Sequence, residues 1–173
     1  MDKLLVLVNG LPGSGKSTLS RALAARLRAD LLSKDAIKEA LASCVDDEAM
    51  FPALGGIAMD TLWSLAASTP RHVVADSWWF APRDRAPAAA GIARVAAPHT
   101  LELWCAVPPE VARTRYATRV RPPLHRDADR LLTDWPRWSR EAEPLSLTPV
   151  LEVDTTGPVD IAALSARIIA YCP

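Results

Sequence analysis

The sequence predicts an α/β fold in which helices cover both faces of a parallel β-sheet. Short apolar runs of strand length alternate with helical patterns from one end of the chain to the other. The first apolar run leads into a glycine-rich segment, and the leucines after it recur every four residues, as on one helix face. With 173 residues, the chain is long enough to bury a core without metal or disulfide support. We therefore expect one three-layer domain over residues 1–173.

Apolar segments predict five strands, at residues 4–8, 30–32, 72–75, 101–107 and 150–153. Residues at helical spacing predict helices between them. The predicted helices lie around 37–44 and 54–65, within 81–98 as a short surface helix, from 108 onwards, and at about 159–171. Pro70 is expected to end the second of these helices.

Residues 10–18 read GLPGSGKST and contain the pattern G-x-x-x-x-G-K-[ST], the phosphate-binding P-loop. Glycines allow consecutive backbone N–H groups to point into one concavity, and the helix that follows adds its positive end. In this arrangement Lys16 reaches the β- and γ-phosphates, and the Ser17 hydroxyl ligates Mg²⁺. In a loop without phosphate we expect Lys16 to face solvent. The residues expected to contact a nucleotide here are Gly10, Gly13, Ser14, Gly15, Lys16, Ser17 and Thr18. The alternative is a glycine-rich turn with an incidental lysine.

The composition argues against several other classes of protein. Twenty basic and twenty acidic side chains cancel, so the broad positive field of a dedicated nucleic-acid binder is not expected. The longest apolar run is far below the roughly 18 residues that span a bilayer, and residues 1–8 do not resemble a signal peptide. Three widely spaced cysteines suggest no zinc site. We expect a cytoplasmic protein without a membrane partner, and the sequence carries no prediction of oligomeric state.

The segment after the second predicted strand carries a candidate catalytic carboxylate. In open α/β sheets, ligands bind beyond the carboxyl ends of the strands, and residues 33–38 lie at that position. Asp35 would sit across the crevice from the P-loop, where a carboxylate can accept the proton of an attacking hydroxyl. The alternative is an acid in the first turn of a helix, stabilised by the helix dipole and paired with Lys38.

The third predicted strand ends near Asp76 and is followed by aromatic residues. Small apolar residues that end in an aspartate are typical of a Walker B strand, whose carboxylate usually holds Mg²⁺ through water. Asp76 is therefore a candidate for metal or acceptor binding, and the alternative is an aspartate that caps the next turn. One of Trp78 and Trp79, but not both, would form an apolar wall for the acceptor, because neighbouring residues face different ways.

Six arginines lie between positions 113 and 130. Arg115 and Arg119 are four residues apart and share a helix face, and the prolines that follow break the helix into a loop. A segment of this kind, at about 113–130, is typical of a lid that brings guanidinium groups to the transferred phosphate. Arg119 is accordingly a candidate catalytic residue.

The remaining charged residues of this segment have a simpler interpretation. For Arg121 and Arg130 we favour solvated ion pairs with Asp127 and Asp129. Of the three histidines, His125 is the one placed in the predicted lid to touch a ligand.

Together these motifs resemble the small P-loop kinases that phosphorylate hydroxyl groups. This group contains chloramphenicol phosphotransferase, gluconate kinase and the kinase domain of polynucleotide kinases. The resemblance covers nearly the whole chain, through GLPGSGKSTLS at Gly10, SKDAIKEAL at Ser33, the strand ending at Asp76, LELWCAVPPEVARTRYATR at Leu101 and LEVDTTGPVD at Leu151. It implies a P-loop NTPase fold with a five-stranded parallel sheet in the order 2-3-1-4-5.

The resemblance also implies roles for individual residues. The arginines that match Arg115, Arg119 and Arg126 bind phosphates in that group. The loop that matches residues 154–157 lies near adenine, so Thr155 and Thr156 are expected to contact the nucleotide.

The resemblance further implies the reaction. The aspartate that matches Asp35 is the catalytic base, and Lys38, which stands where the polynucleotide branch typically has arginine, is expected to contact the acceptor. We expect a kinase that uses ATP and Mg²⁺ to phosphorylate a hydroxyl of a small organic acceptor, such as an antibiotic, a sugar acid or a polyol. Two alternatives remain, a polynucleotide 5′-hydroxyl kinase and a nucleotide-gated regulatory protein that binds ATP without phosphorylating a small molecule.

Overall fold

Five parallel strands form the central sheet in the computed structural model, which describes residues 2–46 and 52–171. The strands are β1 Leu4–Asn9, β2 Asp30–Ser33, β3 Val73–Asp76, β4 His99–Ala106 and β5 Val150–Asp154. Their order across the sheet is β2-β3-β1-β4-β5, and every neighbouring pair is parallel. The predicted α/β class and strand order are therefore confirmed.

Helices follow the strands as crossovers. They are α1 Lys16–Leu27, α2 Lys34–Ala42, α3 Leu54–Ser68, α4 Ala81–Val95, α5 Pro109–Thr118, α6 Asp127–Thr133, α7 Trp135–Glu141 and α8 Ile161–Ala170. A 3₁₀ turn, Pro123–His125, precedes α6. Within the described ranges, no helix is long and apolar enough to cross a membrane.

The alternation of side chains along β1 divides the core into two layers. Leu4, Val6 and Val8 pack with residues of α1 and α8 on one face of the sheet. Leu5 and Leu7 pack with residues of α3 and α4 on the other face. All five side chains are fully buried, as expected of the central strand of a parallel sheet that is covered on both sides.

The chain after β3 departs most from the predicted elements. Residues 81–95 form a full helix rather than a short surface helix, and Ala88 and Gly91 of this α4 are buried. Helices α6 and α7 were not predicted at all. Trp135 and Trp138 of α7 pack with Tyr116 of α5 in a third apolar cluster beside the carboxyl edge of the sheet.

Replacing Gly91 by alanine should destabilise the fold, although alanine favours helices. A Cβ atom at position 91 would lie 2.2 Å from Cε2 and 2.4 Å from Cδ2 of Trp63, whose buried ring has little room to shift. Overpacking of this kind typically costs about 1–3 kcal/mol, which exceeds the gain of about 1 kcal/mol in helix propensity. Denaturant unfolding would measure the change.

Gly56→Ala provides the matched control for this prediction. Gly56 lies in the first turn of α3, and a Cβ atom there would meet nothing within 4 Å. The same substitution should therefore stabilise the protein by up to about 1 kcal/mol. Equal effects at the two positions would contradict the packing of Trp63 against Gly91.

Candidate functional site

The glycine-rich loop connects β1 to α1 in a backbone conformation that favours glycine. Gly10, Gly13 and Gly15 have φ angles of 144°, 84° and 89°. A Cβ atom on Gly13 would lie 2.1 Å from the carbonyl oxygen of Ala112, because α5 lies against the loop. Glycine is thus required at position 13 for both conformation and space.

The side chain of Asn9 connects this loop to the segment after β3. Its Oδ1 accepts hydrogen bonds from the backbone N–H groups of Gly10 (2.8 Å) and Trp79 (3.0 Å). Its Nδ2 donates to the carbonyl oxygen of Trp79 (3.2 Å) and to Oε1 of Glu102 (2.9 Å). Glu102 also accepts from the backbone N–H groups of Leu145 and Ser146, so this fully buried carboxylate is well satisfied.

Lys16 is buried, contrary to the expectation that it faces solvent in a loop without phosphate. Its Nζ donates hydrogen bonds of 2.8 Å to the carbonyl oxygens of Gly10 and Leu11. Burial lowers the pKa of Lys16, and the nearby carboxylate of Asp76 acts in the opposite direction. The ammonium group is therefore held at the loop by carbonyl groups of the loop itself.

A cleft of about 520 Å³ lies beyond the carboxyl ends of β1, β2 and β3. The P-loop and the beginnings of α1 and α2 line it, together with residues from α4 to α7. Its charged side chains are Lys16, Arg21, Lys34, Lys38, Arg83, Arg115, Arg119, Arg121 and Arg130 against Asp35, Glu39 and Asp76. Although the whole chain carries no net formal charge, the cleft is strongly basic and suits an anionic ligand.

Asp35 lies in the first turn of α2 and faces this cleft. Its Oδ2 accepts a hydrogen bond from Nη1 of Arg121, and Nζ of Lys34 lies 3.8 Å from its Oδ1. Burial alone would raise the pKa of Asp35, but these two cations outweigh it and hold the pKa below the usual value. The side chain remains 47% exposed, so the carboxylate is charged and accessible.

One part of the alternative interpretation of Asp35 holds, because the carboxylate lies in the first turn of α2, where the helix dipole favours an acid. The other part, a pairing with Lys38, does not. Ser33 caps α2, since its Oγ accepts from the N–H of Ala36. Lys38 donates to the carbonyl oxygen of Leu124 at 2.9 Å rather than to Asp35. Asp35 is thus paired with Arg121 and lies near its chain neighbour Lys34, not near Lys38.

Asp76 is the last residue of β3 and is buried beside the P-loop. Burial raises its pKa, while the charge of Lys16 and the hydroxyls of Ser17 and Ser33 oppose this change. Ser17 is an exposed residue at the start of α1 and lines the same cleft. These oxygen atoms are a suitable donor set for Mg²⁺, a hard cation.

The two tryptophans after β3 face opposite directions. Trp78 lines the cleft and packs against Phe80 and Trp138, with ring centroids 5.8 and 6.0 Å away. Trp79 is only 1% exposed, and its ring lies 6.1 Å from that of Trp63 in the core. Of the two candidates for the acceptor wall, only Trp78 thus faces the cleft, and Trp79 is excluded because its side chain is buried in the core.

Arg115 lines the cleft and fixes the loop after β5. Its Nη1 and Nη2 donate to the carbonyl oxygens of Thr155 (2.9 Å) and Thr156 (2.7 Å). The Thr155 hydroxyl donates to Ala106, the Thr156 hydroxyl to Asp154, and neither threonine lines the cleft. The nucleotide contacts of Thr155 and Thr156 therefore stay a prediction.

The segment after α5 is held by ion pairs. The guanidinium of Arg119 stacks on the Tyr116 ring at 4.2 Å, and its Nε lies 3.1 Å from Asp127. Arg121 binds the same carboxylate, with Nη2 2.8 Å from Oδ1 of Asp127, and reaches Asp35 as well. These contacts hold the pKa of Asp127 well below its usual value despite its partial burial.

Arg126 lies outside the cleft, so its expected contact with phosphate stays a prediction. Its exposed guanidinium pairs with Asp129 at 3.0 Å. The solvated ion pair predicted for Arg130 is wrong, because Arg130 lines the cleft and is not paired with Asp127 or Asp129. His125 also lines the cleft, where its Nε2 lies 2.7 Å from Oε1 of Glu39.

Several cleft residues were missed by sequence reasoning. Tyr116 and Trp138 complete the apolar wall around Trp78, while Lys34, Arg83 and Arg121 add positive charge. The position of Lys34 directly after β2 was the one available signal, since it adjoins Asp35 in the crevice segment.

The residues present fit a nucleoside triphosphate and Mg²⁺. Among the described residues, no side chain caps the N-terminus of α1, so its first N–H groups are free to bind phosphate oxygens. Lys16 supplies a positive charge at that position, and Ser17 and Asp76 would supply oxygen ligands if a metal were bound.

Comparison with known protein families gives a match over residues 5–142 to AAA_33, described as an AAA domain. The chain belongs to the AAA_33 family. No significant match was found among curated protein sequences.

Solved structures share this fold over almost their entire lengths. A protein from Chloroflexus aurantiacus J-10-fl, described as a candidate kinase, is 28% identical with a TM-score of 0.77, covering 99% of each chain. Shikimate kinase from Bacteroides thetaiotaomicron is 17% identical with a TM-score of 0.65, covering 98% of each chain. A sugar kinase from Janibacter sp. HTCC2649 is 19% identical with a TM-score of 0.51, covering 98% of this chain and 94% of the other.

Proposed function

We propose that the protein is a kinase that transfers the γ-phosphoryl group of ATP to a hydroxyl of a small organic acceptor. The observation that carries this proposal is the position of Asp35, an accessible carboxylate in the same cleft as the P-loop lysine. A protein that only bound ATP would need no such group facing the phosphates. The kinase descriptions of the three similar structures support the proposal.

The side chains of the cleft divide the work of this reaction. ATP supplies the transferable phosphoryl group, and Mg²⁺ neutralises phosphate charge when both are bound. Lys16 adds positive charge at the P-loop, and Arg115 and Arg119 contribute guanidinium groups from the predicted lid at 113–130. Asp35 orients the acceptor hydroxyl and accepts its proton. Its low pKa suits a loose transition state, because the proton leaves late in such a reaction.

A screen for γ-phosphate transfer tests the proposal directly. The protein would be incubated with Mg²⁺, ATP labelled in the γ-phosphate and panels of sugar acids, polyols, aminoglycosides and other hydroxyl compounds. We expect label on at least one small acceptor. Labelling of single-stranded oligonucleotides alone, with a steep loss of binding on adding salt, would instead favour a polynucleotide 5′-hydroxyl kinase. ATP binding without transfer to any hydroxyl would favour a regulatory protein.

Asp76→Asn tests the proposed metal site. Because an amide is a poorer ligand than a carboxylate for Mg²⁺ or its bound water, the variant should need roughly tenfold more Mg²⁺ for half-maximal transfer. A Mg²⁺ titration of the transfer rate measures this shift. An unchanged Mg²⁺ requirement in a folded variant would assign Asp76 a structural role only.

A further inference from the structure

The side of the cleft opposite the P-loop carries positive charges that the proposed reaction has not used. Lys34 is the first residue of α2, Lys38 follows one turn later, and Arg130 projects from α6. Arg83 of α4 lines the same side. We call these four residues the basic wall.

The carboxylates of the cleft are committed elsewhere. Asp35 is bound by Arg121, Glu39 lies 2.7 Å from His125, and Asp76 lies at the P-loop. Lys34 approaches Asp35 only at 3.8 Å. Among the residues that the structure describes, Lys38 and Arg130 have no carboxylate within 4.0 Å.

This concentration of charge is unfavourable without a counter-ion. Burial lowers the pKa of Lys34, and the charges of Arg130, Arg83 and Arg121 lower it further, against the effect of Asp35. Lys34 also lies at the positive end of the α2 dipole, where an anion is preferred to a cation. An anion between these side chains would relieve both effects.

The phosphates of the nucleotide are not the counter-ion that the basic wall requires. Its phosphates would bind the P-loop, at the N-terminus of α1, with Lys16, Arg115 and Arg119 around them. The basic wall is built from α2, α4 and α6 instead, on the side that Asp35 occupies. It therefore faces the acceptor.

We propose that the acceptor carries a carboxylate or a phosphate, which binds between Lys34 and Arg130 while the acceptor's hydroxyl meets Asp35. This inference rests on the proposed kinase function and specifies its substrate class. Arg83 is paired with Asp84 and Lys38 with a backbone carbonyl, so they contribute mainly through their charge. A neutral polyol or sugar would leave the basic wall without a partner.

The test uses simple anions on the protein loaded with nucleotide. The protein is saturated with Mg²⁺ and a non-hydrolysable ATP analogue, which occupies the P-loop, and inorganic phosphate or acetate is then titrated by calorimetry. We expect saturable binding of one anion per protein. Tighter binding of phosphate would indicate a phosphate-bearing acceptor, and tighter binding of acetate a carboxylate-bearing one.

Variants locate the bound anion. Lys34→Gln and Arg130→Gln should each weaken its binding by about tenfold or more, as expected from the loss of a charged hydrogen bond. Arg113→Gln is the control for net charge, since Arg113 is exposed on α5 outside the cleft, and it should leave the affinity unchanged. Circular dichroism would verify that all three variants fold.

Each outcome is informative about a different proposal. Failure of the ATP analogue to bind would contradict the proposed function itself. Normal analogue binding with no saturable anion, or with equal affinity in Lys34→Gln, Arg130→Gln and the wild type, would overturn the anionic acceptor alone. So would faster transfer to neutral acceptors than to their charged counterparts in the γ-phosphate screen.

Discussion

Replacing Asp35 by asparagine should lower phosphoryl transfer by about 10²- to 10⁴-fold, the usual contribution of a positioned general base. Asparagine has nearly the same shape as aspartate, but it cannot accept a proton. Affinity for a non-hydrolysable ATP analogue should change by no more than about twofold, because Asp35 faces the acceptor and not the nucleotide. Transfer rates and calorimetric titration of the analogue provide the two measurements.

Two controls accompany this prediction, the stability of the Asp35→Asn variant and the activity of a variant at Glu39, a second acid on α2. The ion pair of Asp35 with Arg121 involves a carboxylate that is 47% exposed, so its loss should change stability by less than about 1 kcal/mol. Glu39 lies one turn later on α2 with His125 as its partner, and Glu39→Gln should reduce transfer far less. Full transfer by Asp35→Asn would refute its role as the base.

Lys16→Met should reduce transfer by about 10²- to 10³-fold, the cost of removing one preorganised charge from a transition state. Methionine preserves most of the buried volume of the side chain. Because burial lowers the pKa of Lys16, the charged group is held at a cost in the ligand-free protein. Its removal, although it loses two hydrogen bonds, should therefore leave the melting temperature within a few degrees of the wild type.

The interpretation of this variant depends on a charge-matched control. Arg26 lies near the end of α1, where its Nε donates to Ser165 outside the cleft. Arg26→Met removes one positive charge from the same helix and should retain transfer. Similar losses in the two variants would show that net charge, and not the position of Lys16, determines the rate.

The strands and the P-loop could be predicted because their signals are local. The apolar run of β1 and the glycines after it lie within fifteen consecutive residues, and each limits what the other can form. Helices α6 and α7 could not be predicted in this way. Each has seven residues, too few for a helical period to show, and α7 is stabilised by packing on Tyr116 and Phe80.

The charges of the cleft show why the site was predicted less well than the fold. Arg121 was expected to pair with Asp127 nearby in the chain, and it does, but it also reaches Asp35, 86 residues away. Lys16 was expected to face solvent. The sequence does not show that carbonyl groups of its own loop accept hydrogen bonds from its ammonium group. The contact of Arg121 with Asp35 depends on how two separate segments meet in space, whereas the contacts of Lys16 depend on the backbone conformation of the loop.

The hydrogen bonds of Asn9 imply that the P-loop and the segment after β3 respond to ionic strength differently from the segment between Arg119 and Asp127. Asn9 connects the P-loop to the backbone of Trp79 through buried amide contacts, which salt screens little. The segment from Arg119 to Asp127 is instead attached to α2 by contacts that involve charged side chains, namely Arg121 with Asp35, Lys38 with the Leu124 carbonyl and His125 with Glu39. Dissolved ions weaken partly exposed contacts of this kind. Added salt should therefore loosen the segment from Arg119 to Asp127, while the distance from the P-loop to Trp78 stays fixed.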